Sequence, residues 1–592
     1  MKFFKSTLAS ILGSLIGGGI LLFLLFLILS NLFTPSSPEL ELTEPVYLKM
    51  ELKGPILEKA DATPVRMQGF DLPELGGASG LYEITQGIKA ASEDDMVAGI
   101  YLRIRNVDAG WAKMTTLREA LLDFKAADKK IVAWSDSYDE RSMYLASVAD
   151  EIYLHPVGEL ELNGFAATPY YLANMFEKFD LEVNAFRVGN YKSGIETYTE
   201  TEMSPANREQ LTLLLQDLWG EFQDSLAASR GISANQIDQW AGDIFSIPDA
   251  AAAQNKKLIT ASMAEHKVLD VIKDHLDEDD KDYPTMTTFR KYVNAKVQAA
   301  PIDSESDKIA VIFMEGTIVG GGGGSGQIGG DKFVKEIRRA RLDSTVKAIV
   351  LRINSPGGSS LASDLMAEEI KAAREVKPVI ASMSDVAASG GYYIAAPCDY
   401  IFARPQTITG SIGVYALTYG THGFLEDQVG INYDRVATHP TADIMSPNRP
   451  MTDDEKAVVQ NGVERTYATF LDIVQEGRKF PGGVAEADSL AQGRVWSGVQ
   501  AKQNGLIDAY GGLDEAIAYA EEKAGLSDPQ LWLLPAPDNT FQQLASALSV
   551  LKIDASLLGP ELKQALEQLE EARNNHWKPG IYTRMDMDLD IR

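Results

Sequence analysis

The chain has 592 residues. A chain of this length normally folds around more than one hydrophobic core, so we expect several domains. Its net charge of −29 and the lack of a basic stripe argue against nucleic-acid binding. The single cysteine, Cys398, excludes an intrachain disulfide and a cysteine zinc site, and six scattered histidines without metal-ligand spacing predict no metal and no cofactor.

The first predicted element is a membrane anchor. The run from Leu8 to Phe33 contains no charged residue and exceeds the roughly 20 apolar residues that cross a bilayer. It has no convincing small-x-small cleavage site, so we interpret residues 1–45 as a cytoplasmic stub and an uncleaved anchor, not as a signal peptide. Lys2 and Lys5 precede the run and acidic residues follow it. We therefore expect the N-terminus in the cytoplasm and most of the chain outside it.

The rest of the chain repeats one pattern. The segment "AGIYLRIR" resembles "KAIVLRIN", and "ADEIYLHP" resembles "CDYIFARP". Arg103 and Arg352 are 249 positions apart, and so are Pro156 and Pro405. Strands rich in Ile, Val and Leu that alternate with amphipathic helices are typical of an α/β protein with a buried parallel sheet.

We therefore predict two tandem domains of one fold, at residues 46–300 and 305–526, joined by a polar segment at 300–308. A partly helical C-terminal extension, residues 527–592, has no assigned chemistry. The glycine run "VGGGGGSGQIGGD" at 319–331 lacks the GK[ST] of a phosphate-binding loop, so we interpret it as a mobile loop near the substrate groove.

A serine in the second half has the surroundings of a nucleophile. Ser389 lies in "SDVAASGGYYIAA", between small residues that permit close approach to its hydroxyl. The equivalent position in the first half is Glu140, where the small residues are missing. The glycine pair of "NSPGGSS" is likewise missing from the equivalent segment, "RNVDAGW".

A lysine in the first half is the complement of this serine. Lys192 lies in "RVGNYKSGIE", and the equivalent position in the second half falls at Pro440 or Thr441. Each half lacks what the other has, although most loop lysines are simply solvated. The complementary loss predicts one composite site, with Ser389 from one domain and Lys192 from the other.

Such a pair supports acyl transfer without histidine. A neutral lysine amine can take the proton of a serine hydroxyl, as in known serine–lysine variants of the catalytic triad. At neutral pH the amine needs a pKa about 3 units below that of free lysine, which corresponds to roughly 4 kcal/mol and which burial between domains would supply. Ser411 of "TITGSIGVY" is the candidate partner that orients the amine. The candidate oxyanion donors are the N–H groups of Gly358 and Gly390.

The segments "RINSPGGS", "DVAASGGYYIAA", "TITGSIGV" and "RVGNYKSGIE" closely resemble the long form of signal peptide peptidase A, or protease IV, of bacterial inner membranes. The resemblance runs from the anchor to about residue 526 and includes the tandem halves. It implies a Clp-protease/crotonase-like fold, a repeated ββα superhelix, in both domains. Carried over by motif, Ser389 is the nucleophile, Lys192 the general base and Ser411 a partner of the lysine.

The resemblance also implies an activity and a location. The family consists of serine endopeptidases that degrade signal peptides left in the membrane, so the expected partners are signal peptides and other apolar peptides. It implies a homotetramer in the bacterial inner membrane. The predicted single membrane pass implies that the anchor contacts lipid. Together with the resemblance, it also implies that the catalytic domains lie in the periplasm.

Two other functions remain open. A crotonase-like acyl-transfer enzyme uses glycine-rich oxyanion holes on the same fold, but the anchor and Lys192 argue against it. A non-catalytic membrane scaffold would tolerate loss of Ser389 or Lys192, and both residues are present. Labelling with a serine-directed phosphonate would distinguish a peptidase from these two alternatives.

Overall fold

The structure is a computed structural model that describes residues 40–60, 66–67, 70–71, 79–297, 303, 305–536 and 581–584. The predicted anchor, Leu8–Phe33, lies outside these described residues, as does the predicted helical part of the C-terminal extension. Within the described ranges, no helix combines the length and the apolar character needed to cross a membrane.

The first half is built on a parallel sheet. The strands of this half are β1 (Val46–Leu57), β2 (Arg66–Met67), β3 (Phe70–Asp71), β4 (Ser79–Gly80), β5 (Val97–Asp108), β6 (Lys130–Tyr138), β7 (Glu151–Leu160), β8 (Glu182–Val188), β9 (Ala261–Ser262) and β10 (Met286–Thr288). Among the described residues, seven of them form a sheet in the order β10-β1-β5-β6-β7-β9, with β4 paired to β1, and every pair is parallel. The short strands β2 and β3 pair only with each other in the described part of the chain.

The second half repeats this sheet. Its strands are β11 (Lys308–Glu315), β12 (Thr317–Val319), β13 (Gln327–Gly329), β14 (Val346–Ser355), β15 (Gly357–Ser359), β16 (Val379–Ala388), β17 (Tyr400–Ala403), β18 (Ile408–Gly410), β19 (Val414–Gly420), β20 (Val495–Ser497), β21 (Ala509–Tyr510), β22 (Gln530–Leu534) and β23 (Ile581–Arg584). Six of these strands pair in the order β22-β11-β14-β16-β17-β21. Each of them corresponds, in the same order, to a strand of the series β10-β1-β5-β6-β7-β9 in the first half. Strands β5, β6 and β7 begin 249 residues before β14, β16 and β17, which is the spacing seen in the sequence. The α/β class and the tandem duplication are confirmed.

Helices connect the strands. In the first half they are α1 (Leu81–Glu93), α2 (Trp111–Ala126), α3 (Glu140–Ala146), α4 (Ala173–Lys178), α5 (Glu196–Thr199), α6 (Pro205–Arg230), α7 (Ala234–Ala241), α8 (Ala250–Asn255), α9 (Glu265–His275) and α10 (Phe289–Lys296), with a 3-10 turn at Ser193–Ile195. In the second half they are α11 (Gly330–Leu342), α12 (Ser360–Arg374), α13 (Gly390–Ala395), α14 (Asp453–Arg478), α15 (Val484–Leu490), α16 (Gly498–Gln503) and α17 (Leu513–Ala524), with a π-helix at Phe424–Val429.

Helix α11 illustrates why these segments are helical. Its buried side chains include Phe333, Ile337 and Ala340, which recur at helical spacing and face the second sheet, while charged residues cover the opposite side. The glycine run before it connects β12 to β13. Helix α12 begins at a cap, because the side chain of Ser359 accepts a hydrogen bond from the backbone N–H of Ala362.

The two halves are joined by shared structure. Strand β8 of the first half pairs antiparallel with β19 of the second, in a six-stranded sheet ordered β13-β12-β15-β23-β19-β8 among the described residues. The apolar core of the first half also takes in Ala388, Ile408 and Val495 from the second half. Strand β22 joins the sheet of the second half beyond the predicted domain limit at residue 526. These shared elements place residues from both halves around one site.

Candidate active site

Ser389 lies at the sharp turn between β16 and α13. Its φ of 53° falls in the left-handed region that residues with side chains rarely adopt, and its ψ is −114°. Its backbone N–H donates to the carbonyl oxygen of Gly410 at 2.8 Å, and its own carbonyl accepts from the N–H of Tyr393 at 2.8 Å. A Cβ at Gly391 would lie 2.5 Å from the backbone oxygen of Ser355. The small residues therefore let the turn pack tightly against β14.

Lys192 is brought to this turn by the strand that crosses between the halves. In the β8–β19 pair, Val188 lies opposite Val414 and Glu182 lies opposite Gly420. Lys192 comes four residues after Val188, and Ser411 comes three residues before Val414. The antiparallel register thus puts Lys192 and Ser411 beyond the same end of the pair.

The structure brings three of the predicted residues into contact. The Nζ atom of Lys192 lies 2.8 Å from Oγ of Ser389, 2.9 Å from the backbone oxygen of Ser411 and 3.0 Å from Oγ of Ser411. All three residues are buried, with exposures of 2% for Lys192, 0% for Ser389 and 2% for Ser411. The amine therefore meets oxygen atoms of two serines in a space shielded from water.

Two glycines make room for the lysine side chain. A Cβ at Gly493 would lie 2.6 Å from the Cβ of Lys192, and a Cβ at Gly413 would lie 3.2 Å from its Cδ. Gly413 lies 249 positions after Gly164, at the spacing of the repeat, and no sequence pattern points to Gly493. The "QGR" segment that contains Gly493 is an ordinary turn sequence, so only the folded chain reveals its role.

The two predicted oxyanion donors lie on neighbouring elements. Gly390 follows Ser389 directly and begins helix α13, and that helix contacts β15, the strand that contains Gly358. Gly358 has φ of 155° and pairs with Ile318 of β12, whose backbone oxygen would be 2.0 Å from a Cβ at this position. No residue with a side chain fits there, which explains the second glycine of the "SPGG" segment.

Gln210, to which no sequence pattern points, supports residues 191–193 around Lys192, which we call the lysine loop. Its side-chain nitrogen donates to Oγ of Ser193 at 3.0 Å and to the carbonyl oxygen of Tyr191 at 3.3 Å, on either side of Lys192. Its side-chain oxygen accepts the backbone N–H of Val495, in the second half, at 3.1 Å. A buried glutamine on helix α6 therefore ties the lysine loop to the half that contains Ser389.

A largely buried charge cluster joins the halves next to β16, the strand that leads to Ser389. We define it as Glu58 and Lys113 of the first half with Glu315, Arg352 and Asp385 of the second. Arg352 Nε donates to Glu58 Oε2 at 2.6 Å, and Lys113 Nζ donates to Glu315 Oε1 at 2.8 Å. The backbone N–H of Lys113 donates to Asp385 Oδ1 at 2.8 Å. Because Asp385 belongs to β16, the cluster fixes the strand that leads to Ser389 against helix α2.

Two carboxyl groups of this cluster, those of Glu58 and Asp385, have shifted pKa values. Burial acts to raise the pKa of Glu58, but the charges of Arg352 and Lys113 and the hydroxyl of Ser384 lower it to about 2. Burial raises the pKa of Asp385, and Lys113 only partly opposes that rise. Lys113 itself has a raised pKa, because three nearby carboxylates outweigh its loss of hydration. The pKa values of Glu58 and Asp385 thus both depend on the two neighbouring cations.

The equivalent position in the first half has lost this arrangement. Glu140, the counterpart of Ser389, begins helix α3, and its Oε1 accepts the backbone N–H of Asn163 at 2.6 Å and of Gly164 at 3.2 Å. Gly164 is the counterpart of Gly413. Burial raises the pKa of Glu140, while these N–H groups oppose the rise. At the counterpart of Ser389, the first half therefore has a carboxyl group that accepts backbone N–H groups.

Sequence comparisons agree with this geometry. The sequence profile of Peptidase family S49 matches residues 123–278 and again residues 371–527, once in each half. Protease 4 of Salmonella typhi is 34% identical over 493 residues, which cover 81% of this chain and 78% of that protein. The chain belongs to peptidase family S49.

Other relatives fit this family. The chloroplastic serine protease SPPA of Arabidopsis thaliana is 32% identical over 525 residues, which cover 86% of this chain and 75% of that protein. This S49 chain is accordingly a serine endopeptidase that acts on peptides. A solved structure of a ClpP1 mutant from Listeria monocytogenes overlaps 35% of this chain and 94% of its own, at 14% identity and a TM-score of 0.24. The family assignment rests on the sequence matches.

Proposed function

We propose that Ser389 is the nucleophile and Lys192 the general base of this S49 peptidase. The observation that carries the proposal is the buried contact of 2.8 Å between Nζ and Oγ, made by residues 197 positions apart. The duplication supports it, because neither half contains both residues. A serine–lysine pair needs such a contact before it can move a proton.

The arrangement suggests how the proton moves. A neutral amine has two N–H bonds and one lone pair, and Lys192 has three oxygen neighbours. If the backbone oxygen and Oγ of Ser411 accept both N–H bonds, the lone pair is directed at the hydroxyl of Ser389. Lys192 then takes the hydroxyl proton as Oγ adds to the substrate carbonyl carbon, and returns it to the departing amine. Burial favours the uncharged form of an amine, which is the form that this step needs.

The oxyanion of the tetrahedral intermediate would be held by backbone N–H groups. We assign this role to Gly390, directly after the nucleophile, and to Gly358 on the adjacent strand. Backbone donors fixed at a turn do not reorganise as negative charge develops, and each is worth roughly 3–4 kcal/mol in comparable enzymes. A side chain at Gly358 would collide with Ile318, so the close approach of these two strands requires glycine.

The substrates we propose are extended apolar peptides, above all signal peptides left in the membrane. The sequence motifs resemble those of signal peptide peptidase A, and the apolar run from Leu8 to Phe33 would hold the enzyme at the membrane where such peptides lie. An extended peptide can add to a strand edge beside the site, with alternate side chains entering apolar pockets.

We further propose a location and an assembly. The chain would cross the bacterial inner membrane once, with its N-terminus in the cytoplasm and its catalytic domains in the periplasm, and assemble as a homotetramer. Lys2, Lys5 and the acidic residues after the apolar run support the orientation. Residues 46–300 and 305–526 would form the two domains, with strand β22 completing the second sheet.

Substitution of the two central residues tests the proposal. The detergent-solubilised full chain should hydrolyse an apolar peptide ester, and Ser389→Ala and Lys192→Ala should each lower kcat/KM by roughly 10³-fold or more. Wild-type activity should rise from neutral to alkaline pH as the amine loses its proton. The matched controls are Ser344→Ala and Lys267→Ala, at exposed positions away from the site, which should keep wild-type activity.

Each outcome discriminates between the functions. If correctly folded Ser389→Ala or Lys192→Ala hydrolyses the ester at the wild-type rate, these residues are not the proposed pair. A crotonase-like enzyme would instead act on an acyl-CoA thioester. A scaffold would neither hydrolyse the ester nor react with a serine-directed phosphonate, whereas the proposed site predicts labelling that Ser389→Ala abolishes.

A further inference from the structure

A short segment of the second half, residues 492–494, contacts both the lysine loop and the turn of Ser411. The carbonyl oxygen of Gln492 accepts the backbone N–H of Tyr191 at 2.9 Å. Two residues later, the carbonyl oxygen of Arg494 accepts the backbone N–H of Ser411 at 2.7 Å. The backbone of this segment therefore holds the lysine loop on one side and a serine turn on the other.

The side chain of Arg494 adds contacts to two aromatic rings. Its guanidinium carbon lies 4.6 Å from the centre of the Tyr191 ring and 4.4 Å from the centre of the Trp496 ring. A guanidinium over an aromatic face is attracted to the negative face of the ring. Because Tyr191 directly precedes Lys192, the arginine contacts the residue next to the proposed general base.

The Trp496 ring leads to the nucleophile. Trp496 pairs with Thr409 between β20 and β18, and a Cβ at the neighbouring Gly410 would lie 2.6 Å from Cδ1 of the Trp496 ring. The carbonyl oxygen of Gly410 accepts the backbone N–H of Ser389 at 2.8 Å. The guanidinium of Arg494 therefore contacts one ring that adjoins the lysine and another that adjoins the support of the nucleophile.

A carboxylate on helix α6 fixes the guanidinium in this place. Glu209 Oε1 accepts a hydrogen bond from a terminal nitrogen of Arg494 at 2.9 Å, and Glu209 Oε2 accepts one from the hydroxyl of Tyr191 at 3.2 Å. The arginine side chain is only 18% exposed, although that of Glu209 is 51% exposed. One carboxylate thus binds both the guanidinium and the tyrosine that the guanidinium contacts.

We propose that Arg494 is a positioning residue, which holds the amine of Lys192 within reach of the Ser389 hydroxyl. This inference rests on the proposed function of Ser389 and Lys192. The arginine fixes two neighbours of the amine at once, the turn of Ser411 through its carbonyl oxygen and the lysine loop through Tyr191. Such bracing matters because a catalytic group must stay within about 0.5 Å of its productive position, and a lysine side chain is long and flexible.

The arrangement requires the shape of an arginine and not only its charge. A planar guanidinium can lie against the face of a ring while the N–H bonds in its plane donate to a carboxylate. A lysine ammonium is a compact charge without such a plane. Arg494→Lys therefore keeps the positive charge but loses the combined contact with Tyr191, Trp496 and Glu209.

Steady-state kinetics of the detergent-solubilised full chain on the apolar peptide ester test the inference. Arg494→Met keeps most of the side-chain length but neither the charge nor the plane. It should lower kcat at least tenfold and leave KM within twofold of the wild-type value, because the loss acts through the proposed base. Arg494→Lys should lose nearly as much kcat. All rates are measured well below the melting temperature of each variant, so that unfolding does not lower kcat.

A second arginine of the same half provides the matched control. Arg374 is 26% exposed and donates to Asp399 at 2.6 Å, on helix α12 and outside the contacts of the candidate active site. Arg374→Met therefore also removes a paired, mostly shielded guanidinium, and it should keep the wild-type kcat.

A double substitution shows whether the arginine acts through the lysine loop. Tyr191→Leu removes the ring that Arg494 contacts and should itself lower kcat about tenfold. In the Arg494→Met chain, the same tyrosine substitution should lower kcat by no more than about twofold further, since the contact is already lost. An arginine with a merely structural role, or one that binds the peptide, would not show this coupling in kcat.

The outcomes separate this inference from the proposed function. The positioning role is wrong if Arg494→Met or Arg494→Lys keeps the wild-type kcat, if KM rises while kcat does not fall, or if Arg374→Met loses as much kcat. It is also wrong if the losses of Arg494→Met and Tyr191→Leu multiply. In each of these cases, loss of activity in Ser389→Ala and Lys192→Ala still supports the catalytic pair. If those two variants keep the wild-type rate, the catalytic assignment fails and the positioning role fails with it.

Discussion

Two serines at the candidate active site have backbone conformations that a residue with a side chain rarely adopts. The φ angle is 53° at Ser389 and 47° at Ser411, a strain of roughly 1–3 kcal/mol each. The backbone N–H of Ser389 donates to the carbonyl oxygen of Gly410 at 2.8 Å, and that of Ser411 donates to the carbonyl oxygen of Arg494 at 2.7 Å. These hydrogen bonds therefore hold both strained turns, and with them both hydroxyl groups around Lys192, before a substrate arrives.

The hydroxyl of Ser411 should contribute to catalysis by positioning the lysine amine. The Ser411→Ala change removes the contact of 3.0 Å to Nζ but keeps the contact of 2.9 Å from the backbone oxygen. Loss of one hydrogen bond of about 0.5–1.5 kcal/mol should lower kcat about three- to tenfold. KM should stay unchanged, because Ser411 is proposed to touch Lys192 and not the peptide. Steady-state kinetics on the peptide ester measure both constants.

The Ser411→Gly variant is the control for backbone strain. Glycine adopts a φ of 47° without cost, but it also lacks the hydroxyl. We expect the same loss of kcat as for Ser411→Ala. Recovery of wild-type kcat in the glycine variant would show that strain, and not the missing hydroxyl, slows the alanine variant.

The space around the lysine side chain should be equally critical. In Gly493→Ala, the added Cβ would lie 2.6 Å from the backbone nitrogen and the Cβ of Lys192, too close for either to stay in place. We expect a loss of kcat/KM of more than a hundredfold, since small displacements of a catalytic group have costs of this size. The measurement is ester hydrolysis beside the melting temperature of the variant.

A second glycine provides the matched control. Gly430 has a φ of 78°, close to the 75° of Gly493, and a Cβ there would meet nothing within 4 Å. Gly430→Ala therefore carries a similar backbone strain without the collision and should keep its activity. Equal loss in both variants would mean that strain alone, and not displacement of Lys192, inactivates the enzyme.

At the scale of elements, one strand pair assembles the site. The β8–β19 pair crosses between the halves, and its antiparallel register carries the lysine loop of the first half to the serine turns of the second. Gln210 then closes the same junction from helix α6. The site thus depends on pairing between elements that lie more than two hundred residues apart.

Sequence patterns predict only part of this arrangement. The buried strands β5 and β14 and the 249-residue repeat follow from apolar runs, and the complementary loss of a serine and a lysine predicts that Lys192 and Ser389 meet. The β8–β19 pair was not predicted, because strand pairing at long range leaves no local pattern. Gln210 looks like any polar helix residue, and four residues at 581–584 are too few for periodicity.

At the scale of the whole molecule, a large surface charge surrounds a buried interface of opposite charges. The net charge is −29, yet Arg352 and Lys113 are 2% and 3% exposed at the junction of the halves. Glu58 contacts both cations, at 2.6 Å and 3.4 Å. Removal of a single partner from such a set leaves the remaining charges buried and uncompensated, which typically costs about 3–5 kcal/mol.

The chain should therefore depend on Glu58 in a pH-sensitive way. Its folded pKa of about 2 lies below its ordinary value of 4.5, so its stabilising effect is complete above pH 4.5 and is lost as the pH falls toward 2. Glu58→Gln should lower the melting temperature strongly at pH 7 and much less at pH 3, because the wild-type chain has by then lost part of the same interaction. The exposed pair Glu44–Lys281 gives the control, since Glu44→Gln should change stability by less than about 1 kcal/mol at either pH. An equal effect of Glu58→Gln at both pH values would show that the carboxylate charge does not hold the two halves together.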